Sequence, residues 1–228
     1  MQPLLTLLQI NDSMFPIGSF THSYGLESYV SQGIVKDTAS ATVYAENMLR
    51  HNIYYNDAAF LQMTWALLEA KKPAREMQKL DELITALKVP AEIRMASKKL
   101  AIRFLKLTQG LQPVKRCSNY LAKIQEGKLH GHYAIAFAMY AHAHGITSKE
   151  ALLAFYYNML NGIVTNCAKL VPISQGDAQK ILFDLQPTIN QLVEEQDAME
   201  EDLIGLCCIG QEIRCMQHEK QYSRLYIS

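Results

Sequence analysis

Apolar side chains recur along this chain at intervals of three and four, the spacing that gathers them on one stripe of a helix. No stretch alternates apolar and polar residues in the manner of a half-buried strand. The cleanest case is AEIRMASKKLAIRFLKL at 91–107. There Ile93, Ala96, Leu100, Phe104 and Leu107 form one stripe, while Lys99, Arg103 and Lys106 share another. Helices are also predicted at about 4–12, 74–88, 114–125, 132–143 and 148–170, with 38–70 holding two helices or one bent one. Three more are expected near 174–185, 188–199 and 211–217. The pattern predicts an all-α, single-domain bundle of about eight to ten helices over residues 1–228.

The breaks between helices have local causes. Lys71-Lys72-Pro73 and Val89-Pro90 stop one helix each, and Pro90 suits the opening of the next. Ser148-x-Glu150 marks a helix start, Ser174 with Asp177 resembles a capping pair, and Pro187 is expected to interrupt. The densest set of conflicting signals is QINDSMFPIGSFTHSYGLESY at 9–29. Pro16 disfavours helix at Phe15 and Gly18 permits a turn. Ser19 and Thr21 are then expected to cap a helix running to about residue 30. Gly25 would fall inside that helix at a cost of about 1 kcal/mol, which calls for a closely packed neighbour. Met14, Phe15, Ile17, Phe20 and Tyr24 crowd the bend, as a packed corner or as a binding surface.

Composition narrows the class. Hydrophobic residues make up 49% of the chain, enough for a substantial core. Twenty-two basic and twenty-two acidic residues cancel, which argues for neither nucleic acid nor an anionic membrane as partner. The charge is uneven along the chain: residues 71–128 hold fourteen basic and five acidic side chains, and 184–202 hold seven acidic and none basic. Such bipolarity suits solvated faces, docking between unlike partners, or an end-to-end contact with a second copy. The N-terminal apolar run lacks a signal peptide's basic n-region, and no run nears the ~20 apolar residues of a membrane span. Five cysteines, with Cys207 and Cys208 adjacent, do not read as a disulfide framework and point to reduced thiols in the cytoplasm.

Catalytic motifs are scarce. No GxxxxGK[ST] phosphate loop, GxSxG, HExxH or paired CxxC occurs. His142 and His144 would point in opposed directions on a helix, whereas His130 and His132 lie in a turn where chelation is sterically possible. Cys215 and His218, three apart, supply two ligands without a third. Direct metal handling by His130, His132, Cys215 and His218 is therefore one reading of the chain. The tail at 214–228 is unusual for a terminus, ending in Tyr222, Arg224, Leu225, Tyr226 and Ile227. Tyr and Arg often dominate interface energetics, so this segment either folds back onto its own core or is completed by a partner.

Read in order, these motifs carry a resemblance. Asn11-Asp12-Ser13-x-Phe15-Pro16-Ile17-Gly18-Ser19-Phe20-Thr21-His22-Ser23-x-Gly25-Leu26-Glu27 resembles the N-terminal signature of the urease accessory protein UreF family. The likeness continues through Glu92-x-Arg94-x-Ala96-Ser97, Arg103-Phe104-Leu105-x-Leu107 and Pro172-x-x-Gln175-x-x-x-Gln179-x-x-Leu182. It closes on His218-Glu219-x-x-Tyr222-Ser223-Arg224-Leu225-Tyr226-x-Ser228.

The resemblance implies an all-helical, dimeric, cytoplasmic protein that is not itself an enzyme and holds no cofactor. Such a protein bridges a UreD (UreH) accessory protein and the nickel-carrying GTPase UreG on apo-urease, coupling GTP hydrolysis to nickel insertion. By position, Tyr222, Arg224, Leu225 and Tyr226 would order against the UreD-like partner, with Phe20 and His22 near that contact. Arg94, Lys99, Arg103, Gln175 and Gln179 are candidates for a GTPase-facing or a structural role. An alternative is a GTPase-activating regulator of UreG that offers Arg94, Arg103 or Arg224 to the transferred phosphoryl group.

Overall fold

The centre of the fold is a helix with no polar face. Residues 133–141, YAIAFAMYA, carry no charge and are all buried, as a helix apolar all round must be. The structure, a computed structural model, describes residues 2–19, 22–220 and 224–226. In chain order the elements are α1 (Gln2–Asn11), α2 (Leu26–Ser31), α3 (Thr38–Asn47), a π-helical stretch Met48–Ala58 and α4 (Ala59–Glu69). Next come α5 (Ala74–Leu87), α6 (Ala91–Leu111), α7 (Lys115–Gln125), α8 (Tyr133–Ala143) and α9 (Ser148–Leu170). The chain ends with α10 (Gln175–Asp184), α11 (Gln186–Glu195) and α12 (Ile209–His218). No strand occurs among the described residues, so the all-α expectation holds.

α8 packs mainly against α4 and α6, and α9 gathers α1, α3, α10 and α11. The predicted stripe on α6 is present. Ala96, Leu100 and Phe104 are buried, Ile93 and Leu107 are half-buried, and Lys99, Arg103 and Lys106 are exposed. The Phe104 ring meets Tyr133 at 5.6 Å, Tyr140 at 5.7 Å and Phe15 at 5.9 Å, each edge-on. Phe15 thereby ties the N-terminal bend to the core, so at least this part of the bend is a packed corner.

Some local expectations hold and others are corrected. The 38–70 segment follows the single-helix alternative, as one unbroken run whose middle widens into π turns. α9 does begin at Ser148, and Thr147 before it is the cap, accepting from the Glu150 amide while Glu150 reaches back to the Thr147 amide. The break expected at Pro187 is present, with α10 ending at Asp184 and α11 opening at Gln186, and Pro187 sits in the first turn of α11, where its missing N–H has no partner to lose. Ser19 does not cap the helix at 26–31, and Thr21 lies outside the described residues. The N-cap there is Gly25, at φ 81°. Gly25 is thus at the helix start rather than inside it. The close neighbour it called for is real: a Cβ there would meet Cys215 Sγ at 3.1 Å and the Cys215 amide nitrogen at 3.2 Å.

The turn before α8 is organised by a buried acid. Asp81, fully buried on α5, accepts from the Tyr120 hydroxyl at 2.6 Å and from the amides of His130 and Gly131 at 2.7 and 3.0 Å. His132 is consequently buried, with Nε2 2.8 Å from Thr85 Oγ1 and Nδ1 3.4 Å from Ser97 Oγ. Burial lowers its pKa from 6.5 to about 4. His130 is exposed, so the two rings do not converge on a common ligand position.

Candidate functional site

Three remote elements bring two carboxylates and a histidine together under the chain terminus. Glu27 lies in the first turn of α2, Glu92 in the first turn of α6, and His218 is the last residue of α12. Each location follows the helix dipole: acids near N-termini, a basic ring at a C-terminus. α12 is drawn onto α2 by the Gly25–Cys215 approach, by the Ser28 hydroxyl donating to the Arg214 carbonyl at 3.1 Å, and by the Gln211 amide donating to the Tyr24 carbonyl.

The resulting geometry is a closed network. His218 is fully buried, its Nδ1 2.8 Å from Glu92 Oε2 and its Nε2 2.7 Å from Glu27 Oε2. Each ring nitrogen thus stands at hydrogen-bond distance from one carboxyl group, so the imidazole bridges the two acids. Arg224 Nη1 donates to Glu92 Oε1 at 2.6 Å. The amides of Leu225 and Tyr226 donate to Glu27 Oε1 and Oε2 at 2.9 and 3.1 Å. Glu92 thus faces His218 and Arg224, and Glu27 faces His218 and two backbone amides, which offsets the desolvation that either acid alone would suffer.

The clasp fixes the backbone of 224–226 while sorting its side chains. Tyr226 is buried, and burial together with the Glu27 charge raises its phenol pKa. Leu225, by contrast, is 81% exposed. An apolar side chain is therefore held out in water between backbone groups anchored on Glu27.

The other predicted site residues scatter. His22 is buried, its ring 6.2 Å from that of Tyr24 and its carbonyl accepting from Asn166 Nδ2 at 2.8 Å. Its pKa falls to about 4, chiefly through burial and then the Lys99 charge, with Glu92 opposing. His22 therefore lies within electrostatic reach of both Lys99 and the Glu92 of the clasp. Arg94 instead closes the end of α5, donating to the Lys88 carbonyl at 2.7 Å and to that of Val89. Arg103 is exposed, its guanidinium 2.8 Å from where a Cβ on Gly18 would stand. Gln175 and Gln179 are exposed on α10. Phe20 and Tyr222 lie outside the described residues. Of the arginines considered for a phosphoryl-directed role, Arg94 and Arg224 are engaged by carbonyls and by Glu92.

Cys215 and His218 do not form a ligand pair. Cys215 Sγ faces Gly25, and both His218 nitrogens are taken by carboxylates. Among the described residues no group of three or more His, Cys, Asp or Glu side chains is disposed to hold a metal ion, and no helix is long and apolar enough to cross a membrane. Sequence reasoning passed over Glu27 and Glu92 as network members. Their signal was a lone acid beside large apolar residues, Leu26-Glu27 and Glu92-Ile93, at each helix start.

Fold and site define an all-α protein whose residues 224–226 are clasped against the starts of α2 and α6. The UreF family model matches residues 35–186. Over 228 residues, the whole of both chains, this protein is 40% identical to the "Urease accessory protein UreF" of Actinobacillus pleuropneumoniae serotype 3 (strain JL03). It is 39% identical over 222 residues to that of Haemophilus influenzae (strain PittGG), covering 97% of this chain and 94% of the relative. Identity to the Bacillus sp. (strain TB-90) protein of the same description is 31% over the full length of both. The chain belongs to the UreF family of urease accessory proteins, and its role lies in urease maturation alongside other maturation factors.

Proposed function

We propose that this protein is a non-enzymatic adaptor that bridges a UreD/UreH-like accessory protein and the nickel-carrying GTPase UreG on apo-urease. In this reading it acts as a cytoplasmic homodimer and couples GTP hydrolysis in UreG to nickel delivery, nickel being cargo rather than cofactor. The observation that carries the reading is the clasped tail, which holds Leu225 81% exposed between the anchored Arg224 and Tyr226. Water-exposed leucine on a fixed backbone costs little ordering entropy when a partner covers it. The segment 222–228 is thus the element expected to meet the UreD-like protein, with Phe20 and His22 beside it.

Pull-down of the UreD-like protein, UreG and apo-urease by the full chain, and by the chain ending at residue 221, tests this. The truncated chain should keep its helical circular dichroism and lose the UreD-like protein. Retention of that protein at full yield would overturn the reading.

A further inference from the structure

We infer that the groove between the α4–α5 turn and α7 is a docking site for an acidic amphipathic helix contributed by another protein. The groove encloses about 640 Å³. Its floor is apolar, formed by Leu68, Met77, Leu129 and Met139. Its rim is basic: Lys72 on the turn, and Lys115, Arg116 and Lys123 on α7. None of these four cations sits in a salt bridge among the described residues. Glu126, the acid on the lining, is already tied to Lys128 at 2.8 Å.

The groove has the chemistry of helix-in-groove recognition, in which apolar anchors at i, i+3, i+4 and i+7 enter the floor while flanking charges meet the rim. Thioether side chains in the floor adapt to varied apolar anchors. A nucleic acid backbone would answer the rim but leave the floor unused. A second copy of this chain is a poor occupant too, because its own acidic run has its apolar side chains, Ile189, Leu192 and Val193, buried in α11's packing. The groove shares no residue with the tail clasp, so it would serve a different partner from the one that covers Leu225.

The test uses the full chain and three fluorescein-labelled helical peptides of about 18 residues, five turns. All carry the same leucine stripe, with glutamate, glutamine or lysine at the remaining positions. Fluorescence anisotropy should show the glutamate peptide binding at least about 10-fold tighter than the glutamine one at low salt, with the advantage shrinking as salt is added. The lysine peptide should not bind. Arg116→Glu with Lys123→Glu, and separately Ala122→Trp to fill the groove, should each weaken binding at least about 10-fold, a loss of about 1.4 kcal/mol. Circular dichroism should be unchanged, since Arg116 and Ala122 are exposed. Failure of the glutamate peptide to bind, equal binding of the lysine peptide, no effect of the groove variants, or displacement of the glutamate peptide by a single-stranded oligonucleotide would each overturn the inference.

Discussion

His218 Nδ1 stands 2.8 Å from Glu92 Oε2, although 126 residues separate them in the chain. The same ring reaches Glu27 through its other nitrogen at 2.7 Å, so a single side chain joins the starts of α2 and α6. Replacing His218 by leucine leaves two buried acid groups without the ring that bridges them. The loss should be about 3–5 kcal/mol, the range for removing one partner of a buried ion pair. Urea unfolding followed by circular dichroism checks this, and a change below about 1 kcal/mol would show that the network is not a structural element.

Glu27 accepts both tail amides, one on each carboxylate oxygen. In Glu27→Gln one of those oxygens becomes an NH₂ that opposes the amide it faced. The tail should open more readily while the helical body stays folded. Amide exchange at Leu225 and Tyr226 should accelerate by about 10-fold or more, with amides in α8 unaffected. Equal acceleration throughout would mean that the tail and the body open as one unit.

Two glycines at similar backbone angles separate strain from crowding. Gly25 has φ 81° and a Cβ there would crowd Cys215 at 3.1–3.2 Å, whereas Gly33 has φ 69° and open space around it. Gly33→Ala should therefore cost about 1 kcal/mol for the left-handed backbone alone. Gly25→Ala should cost at least about 2 kcal/mol, because α12 must also move off α2. Thermal midpoints of the two variants give the comparison directly. Equal shifts would mean that the α2–α12 contact gives way freely.

Acid should weaken the fold before the carboxylates titrate. His22 and His132 have folded pKa values lowered from 6.5 to about 4, so both stay neutral in the folded chain over a range where the unfolded chain binds protons. Their stability contribution is complete above about pH 6.5 and is lost as pH falls toward 4. For His132 this is on the order of 2–3 kcal/mol across the window. The urea midpoint should fall between pH 7.5 and pH 5, and His132→Gln should flatten that fall. A slope unchanged by the variant would assign it to other groups.

Much of the helical framework was legible because its causes are local. The stripe on α6, the proline stops and the Ser174 cap, whose hydroxyl accepts from the Asp177 amide at 3.0 Å, act within a few residues. The start of α9 at Ser148 and the break beside Pro187 were legible for the same reason. Gly25 was misplaced, yet its cost correctly implied a packed neighbour. The clasp was not legible, because Glu27, Glu92 and His218 meet only once three helices have packed, and no spacing rule links 27, 92 and 218. Asp81 was missed for the same reason: its partners Tyr120, His130 and Gly131 come from α7 and the turn after it, beyond the whole of α6. His218 itself was noticed, but as a partner for Cys215 on the same helix, since helical spacing reveals only neighbours along the chain.

The central claim is that the clasp exists to present the tail to another protein, and Leu225 isolates it. Leu225→Ala removes exposed side-chain atoms, and should shift the unfolding free energy by less than about 0.5 kcal/mol. Isothermal titration of the UreD-like protein into the two chains is the decisive measurement. The account predicts at least about 10-fold weaker binding for Leu225→Ala, the effect of losing about 1.4 kcal/mol of contact. An unchanged Kd, with the clasp intact, would contradict it.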